Sequence, residues 1–211
     1  MVKKRKIKIF GVGGGATNII NRMIKNGMTG AEFWVLNTDK QMLKMGRTDN
    51  RVLLGVKTSK GFGAGGDPSV GEEAANESEQ DIKIALNGAD VVLITTCFGG
   101  GTGTGATPVI AKIAKDMGIL TIALVTKPFS WEGSRRQEQA EQGLEKLKGY
   151  IDAILVVPND KLYQEAKNHS ETEPAFDTID KVLCKGIQGI YESATNSGMI
   201  GVDYTDIRNF M

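Results

Sequence analysis

The chain has 211 residues, 40% of them apolar and 24% charged, with a formal net charge of +1. These values are ordinary for one large water-soluble globular domain, and the near-neutral charge argues against a general nucleic-acid binder. No apolar run approaches the ~18 residues that span a membrane, and no signal peptide is visible, so direct membrane insertion is not expected. The basic run Lys3, Lys4, Arg5, Lys6 and Lys8 reads as a solvated tail leading into a strand. Cys97 and Cys184 lie far apart, without metal-ligand spacing, and read as free thiols in a reducing cytoplasm. His169 reads as a surface loop residue with no catalytic role. No metal site made of protein side chains is expected.

In chain order, residues 6–12 read as a buried strand and run straight into Gly13-Gly14-Gly15-Ala16-Thr17-Asn18. Ile19, Ile20, Met23 and Ile24 then recur at helical spacing until Gly27. Alone, Gly11, Gly13 and Ala16 fit the dinucleotide fingerprint weakly. Residues 33–36 give a second strand ending in Asn37-Thr38-Asp39, where a dehydrogenase would use Asp39 for a ribose hydroxyl. Residues 52–54 form a short strand, a second glycine cluster follows at 61–66, and Pro68 is placed to open a helix predicted over 69–86. Residues 89–94 form a strand that empties into Gly99-Gly100-Gly101-Thr102-Gly103-Thr104-Gly105, ahead of a helix predicted over 108–117. Bare backbone N–H groups there can curl around an anion while the helix N-terminus adds its positive dipole end. Thr102 and Thr104 can add hydroxyl donors. No Gly-Lys-Ser/Thr follows, so phosphate would be held without a P-loop lysine. A strand over 119–125, a charged helix over 132–148 and a strand over 151–157 complete the pattern.

The alternation predicts an α/β fold, a Rossmann-like, mostly parallel sheet with helices on both faces. In such sheets ligands sit beyond the carboxyl ends of the strands, so the three glycine clusters should converge on one edge. That convergence counts against a dehydrogenase, which needs only the first. Farther on, Phe176, Ile179, Leu183, Ile187, Ile190 and Ala194 form one stripe of a helix over 174–194, and Asp180 lies on it. A carboxylate on an apolar face needs a partner. Either the helix start satisfies it, or Phe176 stacks on a planar base whose N–H groups donate to Asp180. Guanine offers N1–H and N2–H₂; adenine presents an acceptor at N1, so an aspartate would select guanine. Asp203 and Asp206 fall at the start of a short helix, where chemistry alone favours capping.

The segments 11–18, 37–39, 99–106 and 127–129 with Glu132 and Arg136, then 158–162 and 199–206, resemble in the same order the loops of the FtsZ family of cell-division GTPases, in the tubulin superfamily. The resemblance covers nearly the whole chain. It implies a GTPase domain over 1–195, a synergy loop and helix start over 196–211, and a further C-terminal domain beyond it. It implies that Gly13 to Asn18 and Gly100 to Thr104 hold phosphates, with Asn18 also near the guanine. It further implies that Ala64, Gly65 and Gly66 sense the terminal phosphate, and that Glu132 and Arg136 hold the ribose region. Asn159 would belong to the same site, and Phe176 and Asp180 would read the base. Asp203 and Asp206 would enter the neighbouring subunit's site and position the attacking water. GTP or GDP is then the ligand, Mg²⁺ arrives on the nucleotide, and the partner is another copy or a full-length relative at a cytoplasmic division site. Thr96-Cys97-Phe98 and Gly201 depart from the family's usual residues, the latter bearing on hydrolysis more than on binding. The alternatives are a non-polymerising nucleotide-binding regulator of a longer relative and, remotely, an NAD-type oxidoreductase.

Overall fold

The computed structural model describes residues 5–167 and 175–195. Six strands, β1 (Ile7–Val12), β2 (Glu32–Asn37), β3 (Arg51–Leu53), β4 (Val91–Cys97), β5 (Leu120–Lys127) and β6 (Ala153–Pro158), form one sheet in the order β3-β2-β1-β4-β5-β6. Every neighbouring pair is parallel. The order reverses between β1 and β4, and the carboxyl ends of those strands flank the crevice where open α/β sheets bind ligands.

Alternation along the strands separates two apolar layers. Phe10, Val12, Val92, Ile94, Ala123 and Val125 face one side, where helices α3 (Pro68–Glu77), α4 (Glu79–Leu86), α5 (Gly101–Asp116) and α6 (Ser134–Lys148) cover them. Ile7, Ile9, Val91, Leu93, Ile122 and Leu124 face the other, under α1 (Gly14–Lys25) and α8 (Ala175–Thr195). Two short helices, α2 (Lys40–Lys44) and α7 (Asn159–Lys167), follow β2 and β6. On α8, Ile179, Leu183 and Ile187 are buried while Lys181, Lys185, Gln188 and Glu192 are exposed, as the stripe predicts. Phe176, at the start of the same face, is 60% exposed.

Two other expectations are corrected. The single helix predicted over 69–86 is two helices meeting at Ser78. The Ser78 hydroxyl turns inward and accepts from the Gly55 N–H at 2.8 Å, the local side-chain competition that makes serine a helix punctuator. The glycine run at 101–105 is also no loop: α5 begins at Gly101, seven residues before Pro108. Its glycines permit close packing. A Cβ at Gly101 would lie 2.8 Å from both the Ala64 Cβ and the Asp67 N, and one at Gly105 would overlap the Pro68 carbonyl and the Glu72 N. α3 thus crosses α5 backbone to backbone, bringing the 64–67 turn against the first residue of α5.

Candidate functional site

A cavity of about 360 Å³ opens where β1, β4, β5 and β6 end. Its floor is two helix starts. Gly13 and Gly100 precede α1 and α5 without any side-chain cap, and neither first turn carries an acid. The first N–H groups of both helices therefore keep their donors for something outside the helix. Two uncapped N-termini facing one cavity make an anion site that needs no lysine. Gly13 holds φ at 86° as the chain turns from β1 into α1, a conformation costly for any residue with a Cβ.

Gly13, Gly14, Gly15 and Asn18 line the cavity from α1, and Gly100, Gly101, Thr102 and Gly103 line it from α5. Ala16, Thr17 and Thr104 do not; all three are buried behind the floor. The Thr17 hydroxyl donates to the Gly13 carbonyl at 3.1 Å, and the Thr104 hydroxyl accepts from the Gly99 N–H at 2.9 Å. Both hydroxyls shape the turns from behind. Ala64 is buried against Gly101, whereas Gly65 and Gly66 are exposed beside the floor, outside the cavity lining. Asp203 and Asp206 lie outside the described residues.

The opposite wall carries Glu132, Arg136, Asn159, Phe176 and Asp180, all lining the same cavity. The Glu132 carboxylate accepts from the Phe129 N–H at 2.8 Å and pairs with Arg136 one helical turn on, which fixes both at the rim. Asn159 is buried, and its Oδ1 has no hydrogen-bond partner. An orphaned buried acceptor that lines a cavity implies a donor on the ligand. The exposed Phe176 ring stands edge-on to Phe129, with centroids 5.2 Å apart, and presents itself at the mouth. Asp180 is half-buried, and burial raises its carboxyl to about 6; Arg22 opposes that shift and Asp177 adds to it. Arg22 is committed to Asp177 at 2.7 Å, so it does not neutralise Asp180 directly.

Cys97, Phe98, Thr126, Pro128 and Ile179 also line the cavity, though sequence reasoning singled out none of them as site residues. The available signal was position: the first four stand at or just past the carboxyl ends of β4 and β5. Burial pushes the Cys97 thiol up to about 11, which makes it packing for Gly15 in place of a nucleophile. Asp39 is accounted for differently from the dehydrogenase expectation. Its Oδ1 caps α2, accepting from Gln41 N at 2.7 Å and Met42 N at 3.1 Å, and it does not line the cavity. Among the described residues no group of three or more His, Cys, Asp or Glu could hold a metal ion, and no helix is long and apolar enough to cross a membrane.

The model of the Tubulin/FtsZ family, GTPase domain, matches residues 6–167. Among solved structures the chain is similar to an empty FtsZ dimer from M. jannaschii, with 43% identity and a TM-score of 0.90 over 98% of this chain and 60% of that one. A mutant of FtsZ from the same organism gives 42% and 0.88 over 98% of this chain and 62% of that one. CetZ2 from Haloferax volcanii, a GTPγS-bound protofilament, shares the fold at 24% identity and a TM-score of 0.81, over 97% of this chain and 62% of that one. The chain thus spans about three-fifths of the length of these relatives.

Proposed function

Since the chain belongs to the Tubulin/FtsZ family and the match falls on that family's GTPase domain, we propose that it binds guanine nucleotide in this cavity and hydrolyses GTP when a second subunit completes the site. The observation that carries the binding half is the pairing of two uncapped helix N-termini with a wall of Asp180, Asn159 and Phe176. The phosphates take the floor, where the N–H groups of 14–15 and 101–103 meet negative charge with preorganised donors. The base takes the wall. A guanine donates N1–H and N2–H₂ to the Asp180 carboxylate, and those donors favour its charged form against the burial that opposes it. Asn159 Oδ1 can accept from a ligand N–H or O–H, and Glu132 and Arg136 stand where a ribose would link base to phosphates.

As the family resemblance implies, Mg²⁺ would arrive on the nucleotide. Its contribution is to neutralise charge on the phosphates. The residues supply the rest: floor N–H groups orient the phosphates, and the buried layer beneath them excludes water from one side. The acids lining the cavity are Glu132 and Asp180, both on the wall and both given other partners in this reading. Following the resemblance to the FtsZ family, the group that positions the attacking water is assigned to Asp203 and Asp206 of a neighbouring subunit. The FtsZ relative that is a dimer supports self-association. In the cell the activity would serve a division filament in the cytoplasm. GTP turnover per subunit is expected to rise with protein concentration, and Asp203→Asn should lower it while leaving GTP affinity intact. A turnover per subunit that stays constant across the concentration range overturns catalysis in trans.

A further inference from the structure

Two threonine hydroxyls meet behind the floor. Thr102, on the first turn of α5, lines the cavity, and its Oγ1 lies 2.6 Å from the Oγ1 of Thr38 at the carboxyl end of β2. Thr38 is fully buried. Its carbonyl accepts from the Gly63 N–H at 3.1 Å and has the Ser59 hydroxyl 3.0 Å away, so its position is fixed from the side away from the cavity. Each hydroxyl has one hydrogen to give. The Thr38 hydroxyl has no other acceptor in reach among the described hydrogen bonds, and a buried hydroxyl does not leave its proton unused. Of the two directions this contact allows, the one that leaves no buried hydrogen unused makes Thr38 the donor and Thr102 the acceptor. That leaves the Thr102 hydrogen free, on an oxygen already polarised by the bond it receives.

We propose that Thr38 is a positioning residue for a polyphosphate: by donating to Thr102 it aims the Thr102 hydrogen at a phosphate oxygen in the cavity. The proposal rests on the reading of the floor as a phosphate site. Thr38 itself touches no ligand, so its whole effect passes through Thr102.

The test is calorimetric titration of the full chain with GTPγS and, separately, with inorganic tripolyphosphate, which has no base to read. Thr38→Val, equal in shape but without the hydroxyl, is expected to weaken both ligands alike, by roughly 3- to 10-fold. Thr38→Ser, which restores the donor, should recover the loss. In a Thr102→Val background, Thr38→Val should add nothing. Unchanged affinity in Thr38→Val, a loss for GTPγS without one for tripolyphosphate, a full additional loss in the Thr102→Val background, or a Thr38→Ser variant as weak as Thr38→Val would each overturn the relay. A wild-type protein that holds GTPγS no better than ATPγS overturns guanine recognition and leaves the relay standing if the tripolyphosphate results hold. A wild-type protein that binds neither GTPγS nor tripolyphosphate overturns both.

Discussion

Burial raises the Asp180 carboxyl to about 6, and two pH effects of opposite sign follow. On the proposed reading guanine recognition uses the carboxylate, so GTP affinity should fall as pH drops through 6, because binding must then also remove a proton. In the free protein the folded state holds that proton more tightly than the unfolded chain, whose pKa is near 3.8. Between these values the folded state binds more protons, so stability rises as pH falls from about 7 toward 4. Asp180→Asn should abolish this part of the stability profile, and it should weaken GTP binding about tenfold or more by losing a charge-assisted acceptor. Denaturant midpoints against pH, with and without GTP, check both signs; a variant whose GTP affinity matches the wild type removes Asp180 from base recognition. Phe176 and Asp180 were legible because a period of 3.6 residues places both on one helix face. Cys97, Thr126 and Pro128 were not, because residues at the ends of buried strands read as core until the sheet edge they share is known.

At the scale of elements, the glycines of α5 serve packing, whatever they bind. Helix propensity disfavours a helix that begins Gly-Thr-Gly-Thr-Gly, which is why the sequence places its start at Pro108 and the structure places it at Gly101. Backbone contact with α3 compensates, and that contact links residues more than thirty apart in sequence, beyond any local signal. Gly105→Ala would ordinarily favour a helix. Here its methyl meets the Pro68 carbonyl and the Glu72 N, neither of which is a flexible side-chain end. The substitution should destabilise the protein by about 1–3 kcal/mol, as overpacking does, measured by urea unfolding; a stabilised Gly105→Ala would show that α3 and α5 do not cross this closely. The break at Ser78 has a similar origin, since the Gly55 N–H that its hydroxyl satisfies is distant in sequence.

At the scale of the molecule, the alternation of strands and helices was enough to fix a parallel sheet, and the glycine turns at 11–15 and 99–105 pointed to the edge where the cavity opens, while the turn at 61–66 lies beside it. What the sequence did not contain was depth. It could not show that Thr17 and Thr104 work from behind the floor while Asn159 reaches into the cavity, because that difference is set by which way each first turn leaves its strand. On the proposed reading the cavity combines a base-blind phosphate floor with a wall that reads one base, and its selectivity should reside in the wall alone. Thermal unfolding in the presence of GTPγS or ATPγS tests this most directly, since a ligand that binds only the folded state raises its midpoint in proportion to affinity. GTPγS is predicted to raise the midpoint at concentrations where ATPγS leaves it unchanged; equal shifts from the two nucleotides would contradict a guanine-reading site.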